Sequence, residues 1–320
     1  MFKTFQKYSE YLIMKQIAVI GEAMLELSHR NDTSLSLSFA GDTLNFATYL
    51  RRLLPAESFD IHYVTALGCD SYSDSMLKNW QQEGINTDLI RRLKNKLPGL
   101  YLIRTDEEGE RAFYFYRSDS AARELFKGNS TNLIRHLSTM DYLYLSGITL
   151  AILDTNSRER LWQLLEKAKQ KSAKIIFDTN YRASLWPDPE SAKMIIERTL
   201  KWVNIALPTF IDDQVLFGDV SPKACAQRLL KNGITEVVVK CGPEPAFVAT
   251  ISQQKSIPAC SIEKVLDTTG AGDSFNAAYI AARLLGIEPV KAVQWGHQLA
   301  AIVVAYPGAI IPLTAMPHLT

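Results

Sequence analysis

The chain has 320 residues, of which 47% are hydrophobic and 22% charged. That is enough for a sizeable core, arranged as one large α/β domain or two small ones. A net charge of +1 offers no polycationic surface for nucleic acid or a membrane, and no run of about eighteen apolar residues exists to span one. The four cysteines, Cys69, Cys225, Cys241 and Cys260, are scattered without a C-x-x-C spacing and read as reduced thiols of a cytoplasmic protein. The first 13 residues have basic and aromatic character but no long apolar stretch and no small-residue cleavage site, so no signal peptide is expected. Residues 1–14 are read as an N-terminal extension, or as an ordered cap, ahead of a fold that begins at residue 15.

In chain order, 16–20 is a short apolar run ending at Gly21, a buried strand. Two alternating stretches, 23–28 and 35–39, flank the polar H-R-N-D-T-S and predict a β-hairpin. Gly41 then gives a turn, Asp42 is placed to cap a helix, and 43–54 has Leu44, Ala47, Leu50 and Leu54 at helical spacing. Asn45 lies one turn into that helix, on the same face as Asp42. A strand at 61–66 and a helix at 71–83, closed by Gly84, follow. Pro98-Gly99 breaks the chain before a second predicted hairpin, 100–104 and 111–117, around D-E-E-G-E with Gly109 near its tip. Its alternation puts Phe113, Phe115 and Arg117 on one face, Tyr114 and Tyr116 on the other.

Beyond this point, strands at 142–146, 174–178, 202–207 and 235–240 alternate with helices at 158–169 and 224–230. The order predicts a parallel sheet with helices on both faces. Ligands in such sheets sit beyond the carboxyl ends of the strands. Gly41-Asp42, D-T-N-Y-R at 178–182, Thr209 to Asp212, and Lys240 to Gly242 all fall there.

The most informative stretch, D-T-T-G-A-G-D-S-F-N at 267–276, also falls there, between an extended-looking 262–266 and the strong helix formers of 277–285. Gly270-Ala271-Gly272 is then a small-residue turn opening a helix. Its amides lack intrahelical acceptors and the helix dipole adds positive charge, which makes an anion site suited to phosphate. Asp273, in the first turn, is placed as a general base for an attacking hydroxyl. Asp, Thr and Gly are also what an ordinary turn and cap would use. The glycines are not followed by Lys-Ser/Thr, so this is no Walker loop, and the dinucleotide fingerprint G-x-G-x-x-G is absent.

D-T-T-G-A-G-D-S-F resembles the C-terminal signature of the ribokinase-like sugar kinases, the PfkB family. The resemblance covers about 15–317. It implies a three-layer α/β/α sandwich with a mostly parallel sheet and a small β-sheet lid. The lid would be formed by about 22–40 and 98–119 within a kinase domain spanning 15–320. In this family the final Asp is the catalytic base and the glycine turn the anion hole for the transferred phosphoryl group. That implies Asp273 as base, with Gly270, Ala271 and Gly272 as anion hole.

Gly41-Asp42-x-x-Asn45 is similar to the family's G-G-x-x-N, which touches sugar hydroxyls. Asp42 in place of the second Gly resembles the G-D-T-L-N form of members acting on 2-keto-3-deoxygluconate. In such members a Tyr of the first lid strand and an Arg after the second reach the substrate, and the matching positions are Tyr101 and Arg117. D-T-N-Y-R-A-S-L-W at 178–186 matches the same members, where the Arg, here Arg182, faces the substrate. A guanidinium suits a carboxylate, so Arg182 favours a sugar acid over ribose or fructose.

On the nucleotide side, Thr209 and Asp212 stand where the family has N-x-x-E, which organises magnesium and phosphate, so Asp212 is the expected metal residue. Lys240 and Gly242 match its K-x-G near the phosphates of ATP, with Thr268 and the glycine turn beside them. His297 falls where the family often has Asn or His near adenine, and equally reads as a packed helix histidine. Tyr306-Pro307-Gly308-Ala309 resembles the loop where many members hold a monovalent cation, which leaves a need for K⁺ open.

The expectation is an ATP- and Mg²⁺-dependent kinase that phosphorylates the 6-hydroxyl of 2-keto-3-deoxy-D-gluconate. It would bind small molecules rather than nucleic acid or membrane, and be a homodimer through the lid. Fructokinase or ribokinase activity is the nearest alternative, and a non-catalytic sugar sensor a more distant one.

Overall fold

Ile17, Ala18, Val19 and Ile20 are wholly buried, so the strand they form, β1 (Lys15–Ile20), must be covered on both faces. Its alternate residues feed two separate cores. Ala18 and Ile20 pack into one, Ile17 and Val19 into the other. The computed structural model describes residues 14–31, 33–105 and 111–319. Residues 1–13 of the expected extension and the hairpin tip at 106–110, with Gly109, lie outside the described residues.

β2 (Met24–Asn31) and β3 (Ser34–Ala40) form the first hairpin, with Leu27 opposite Leu37. Helix α1 (Asp42–Leu53) returns the chain to β4 (Phe59–Val64), parallel to β1. The short β5 (Ala66–Leu67) is followed by α2 (Ser71–Gln82), whose N-terminal amides are capped by Asp70. β6 (Arg91–Arg92) pairs with β5. β7 (Gly99–Thr105) and β8 (Arg111–Tyr116) make the second hairpin. Parallel pairing of β2 with β7 joins the hairpins into one four-stranded sheet, β3-β2-β7-β8.

After a 3-10 turn at Ala121–Glu124 and α3 (Thr131–Leu137), the chain alternates. The order is β9 (Tyr142–Ser146), α4 (Gly147–Ile152), α5 (Thr155–Gln170), β10 (Lys174–Asp178), α6 (Pro189–Leu200), β11 (Ile205–Ala206), α7 (Phe210–Phe217), α8 (Pro222–Lys231) and β12 (Glu236–Val239). β13 (Ala246–Thr250), β14 (Gln254–Ile257), α9 (Ala271–Leu284) and α10 (Pro289–Val303) complete the fold. The large sheet runs β14-β13-β12-β11-β10-β9-β1-β4. It is parallel from β12 to β4, with β13 and β14 as an antiparallel edge. One face carries α4, α5, α6 and α8; the other carries α1, α9 and α10. No helix among the described residues is long and apolar enough to cross a membrane.

Three local expectations are corrected. Asp42 does not cap α1: Gly41 occupies the cap position, and Asp42 is the first helical residue with its side chain turned elsewhere. The extended-looking 262–266 is no strand, and Val265 and Leu266 are exposed. Of 202–207 only Ile205–Ala206 pairs in the sheet, because Trp202 and Val203 still close the turn after α6.

Candidate active site

Apart from the Tyr306–Ala309 loop, the residues singled out above for sugar, nucleotide, magnesium or catalysis line one cavity of about 1050 Å³ beneath the four-stranded lid. Its floor is the carboxyl end of the large sheet. Asp178 ends β10, Lys240 follows β12, and Gly41 joins the lid to α1.

Gly270 has φ +76 and caps α9. A Cβ there would sit 2.7 Å from the Ala309 carbonyl oxygen, so both the conformation and the close approach require glycine. At Gly272 a Cβ would stand 3.7 Å from Lys240 Nζ, in the space an anion needs. The first-turn amides of α9 and the Lys240 ammonium thus face the same volume.

Asp273 is half-buried, and Asn45 Nδ2 donates to its Oδ2 at 2.8 Å. Burial first, and then the nearby Asp42 carboxylate, push the Asp273 carboxyl up to about 7, against the Asn45 bond. Asp42 is likewise pushed above the usual carboxylate range by burial. Its Oδ2 accepts from Ser146 Oγ and, at 2.9 Å, from Asn180 Nδ2. Asn180 holds that position from φ +32, with its amide on Asp178 Oδ1 at 3.1 Å. Such a conformation in a non-glycine residue is strained and persists only because its surroundings fix it. Asp178 Oδ2 in turn accepts from Lys240 Nζ at 2.7 Å and Asn276 Nδ2 at 2.6 Å.

The lid end is built from pairs. Arg117 Nη2 donates to Glu22 Oε2, and both side chains are buried. The Tyr101 hydroxyl donates to Glu26, which also accepts from Ser38 Oγ at 2.8 Å. Burial and Glu26 hold the Tyr101 phenol far above its ordinary range. Phe113 and Phe115 stack beside Tyr101 on the cavity face, as alternation requires. Arg182 is half-exposed, and its Nη1 donates to the Tyr181 carbonyl at 2.8 Å and to Asp212 Oδ2 at 3.1 Å. Burial raises the Asp212 carboxyl, and Arg182 partly offsets this.

Thr209 opens α7, and its backbone bridges to Lys240. His297 donates from Nε2 to the Ile257 carbonyl at 3.3 Å and meets the Phe275 ring edge-on. Burial lowers its pKa, so it is a neutral, apolar-flanked wall of the cavity. Asp267 lies behind the glycine turn, where it pairs with Arg111 of β8 and accepts from Gly308 N at 2.6 Å and Thr269 N at 3.0 Å.

Sequence reasoning missed Glu22, Glu26, Ser146 and Asn276 as members of this network. Two of them carried a usable signal. Glu22 stands just beyond the carboxyl end of β1, where ligands of such sheets collect. Asn276 is three residues past Asp273, on the same helix face.

Chemically, the cavity offers a half-buried carboxyl able to take a proton near neutrality, amides and an ammonium for an anion beside it, and oxygen donors for a hard cation. The family model of pfkB family carbohydrate kinases matches residues 14–316. The 2-dehydro-3-deoxygluconokinase of Dickeya dadantii is 45% identical over 307 residues, 95% of this chain and 99% of that protein. The enzyme of the same name from Escherichia coli K12 is 43% identical over the same shares. Among solved structures, the 2-dehydro-3-deoxygluconokinase of Thermotoga maritima superposes with a TM-score of 0.80 at 20% identity, covering 94% of this chain and 96% of its own. A putative ribokinase II of Escherichia coli in complex with ATP and Mg²⁺ gives 0.80 at 21%, covering 93% and 94%.

Proposed function

The chain belongs to the pfkB family of carbohydrate kinases, and from that premise we propose that it transfers the γ-phosphoryl group of ATP to the 6-hydroxyl of 2-keto-3-deoxy-D-gluconate (2-dehydro-3-deoxygluconate). The near full-length identity of 45% to a protein of that activity supports the reaction. The observation that carries the substrate is that Asp42, Tyr101, Arg117 and Arg182, from four separated segments, line the same cavity as Asp273.

In this reading Asp273 takes the proton of the attacking hydroxyl. Its carboxyl, poised near 7, is a stronger base than an ordinary aspartate. The amides of Gly270, Ala271 and Gly272, with Lys240, stabilise the charge on the phosphoryl group in flight. Asp42 and Asn45 orient the sugar hydroxyls, and Tyr101, Arg117 and Arg182 orient the acid end. Thr209, Gly242, Thr268 and His297 flank ATP, with Ser146 and Asn180 holding Asp42 in register. Mg²⁺, when bound, neutralises charge on the phosphates. Asp212, a carboxylate of the same cavity whose pair with Arg182 is half-exposed, would hold it by exchanging that partner, since Mg²⁺ takes one or two carboxylates plus phosphate oxygens and water. For K⁺ the side-chain fit is poor. The Asp267 carboxylate is already neutralised by Arg111, and no step is assigned to a monovalent cation.

The kinase unit is taken as 15–320 with its lid at about 22–40 and 98–119, in a cytoplasmic protein with free thiols. The outer lid face presents Leu35, Leu37, Tyr114 and Tyr116, each 43–64% exposed. Such an apolar face calls for a partner, here the lid of a second copy. Light scattering at micromolar concentration should give a dimer mass, lowered to the monomer by Leu37→Glu with Tyr114→Glu; a monomeric wild type rejects the lid dimer.

A substrate panel with coupled ADP detection tests the function. The sugar acid should give the highest kcat/KM. If fructose outperforms it, the protein is a fructokinase.

A further inference from the structure

Among the described residues four cations line the cavity: Arg117, Arg123, Arg182 and Lys240. Three are matched one to one by carboxylates of the cavity wall: Arg117 by Glu22, Arg182 by Asp212 and Lys240 by Asp178. Their charge is spent within the protein. The remaining carboxylates, Asp42 and Asp273, stand at the reacting end without an ion-pair partner among the described residues and are held by neutral donors.

Arg123 is the cation left over. It is half-buried in the 3-10 turn Ala121–Glu124. Among the described residues its side chain makes no hydrogen bond and no ion pair. Its charged neighbours are Asp119, whose carboxylate is already paired with Lys96, and a second guanidinium, Arg158 of α5, which it repels. A partly desolvated cation in such surroundings gains from an anionic partner.

The turn that carries it is also rigid. Ala121 and Ala122 are buried, Ala121 N donates to the Leu97 carbonyl at 2.8 Å, and Arg91 Nη1 donates to the carbonyls of Glu124, Leu125 and Lys127 at 2.9, 2.5 and 2.8 Å. A charge on a fixed backbone loses little freedom on binding. Ala121 and Ala122 belong to the core on the face of the sheet opposite the one that carries α9. Arg123 therefore meets the cavity from the side away from the anion turn.

We propose that Arg123 is a specificity-determining residue whose guanidinium receives the carboxylate of the sugar acid, while the neutralised Arg117 and Arg182 supply hydrogen bonds to its keto and hydroxyl oxygens. The inference rests on the sugar-acid reading above. Arg123→Gln and Arg123→Lys in the full chain test it, with kcat and KM measured for 2-keto-3-deoxygluconate, fructose and ATP. The Gln variant should raise KM for the acid about tenfold or more, the effect of removing one charge partner. Its kcat, its KM for ATP and its kcat/KM for fructose should stay near wild type, and Lys should recover most of the loss. Where fructose turnover is too slow to follow, the split between acid KM and ATP KM decides. An unchanged acid KM in the Gln variant overturns the proposal, as does an equal fall for acid, fructose and ATP, which marks a structural role. A wild type that phosphorylates no sugar acid removes the parent reading and this inference together. A wild type that prefers the acid, beside a Gln variant with undiminished preference, removes this inference alone.

Discussion

At the α9 end of the cavity the working groups, Lys240 apart, come from one contiguous stretch, Thr268 to Asp273, and much of the apparatus is backbone. At the lid end they come from five separated places, around Glu22, Asp42, Tyr101, Arg117 and Arg182, and the apparatus is paired side chains. The first end can be built by a local turn whose geometry glycine alone allows. The second exists only once the sheet has brought β1, the lid and β10 together. The proposed roles thus concentrate chemistry where the fold is locally determined, and choice of substrate where it is tertiary. A substitution at the first end should alter kcat, and one at the second should alter KM or the stability of the lid attachment.

The largest contrast is expected from Asp273→Asn, which keeps the shape and removes the proton acceptor. kcat should fall on the order of 10²–10⁴-fold, with ATP affinity little changed in a direct titration. Turnover near wild type would remove Asp273 from the mechanism. At the lid end, Glu22→Gln leaves Arg117 buried without a counter-charge. Denaturant unfolding should report a loss of about 3–5 kcal/mol, the usual cost of breaking a buried pair. The double variant Glu22→Gln with Arg117→Met should recover much of that loss, and two purely additive losses would show that the pair is not a unit. Arg182→Ala is milder, because its pair with Asp212 is half-exposed and such pairs contribute little to stability. KM for the sugar acid should rise about tenfold with kcat held. Loss of ATP affinity instead would make Arg182 a phosphate residue and blur the division between the two ends.

The same division decides what could be read from the sequence. The β-α alternation, both hairpins and the turn at Gly270 were legible, since each is set by periodicity or by residues adjacent in the chain. So were the faces of β8, because alternation puts Phe113 and Phe115 on the cavity side and Tyr114 and Tyr116 outside. Asp42 was read locally as a cap, but its partners Ser146 and Asn180 come from the ends of β9 and β10, and nothing near residue 42 announces them. Arg182 reads in the sequence as a partner for a carboxylate, but in the fold Asp212 already neutralises it, as Glu22 neutralises Arg117. Which of several cavity cations is left unmatched is a property of the assembled charge pattern. Nothing in the stretch S-A-A-R-E marks Arg123 out, because its isolation is set by residues far from it in the chain.

The claim that Asp273 is the base is tested most directly by the pH dependence of kcat/KM, which reports groups of the free enzyme. The folded pKa, about 7, is above the ordinary 3.8. The carboxyl is therefore protonated and idle at low pH, and becomes a base as pH rises through 7. By the same sign, the folded state holds this proton more tightly than the unfolded chain. Its contribution to stability is fully present below 3.8 and is lost as pH rises through 7. The account predicts that kcat/KM for the sugar acid climbs tenfold per pH unit on the acid side, levels off above about 7, and loses this limb in Asp273→Asn. A wild-type profile flat from pH 5 to 8, or a limb that survives unchanged in Asp273→Asn, would contradict it.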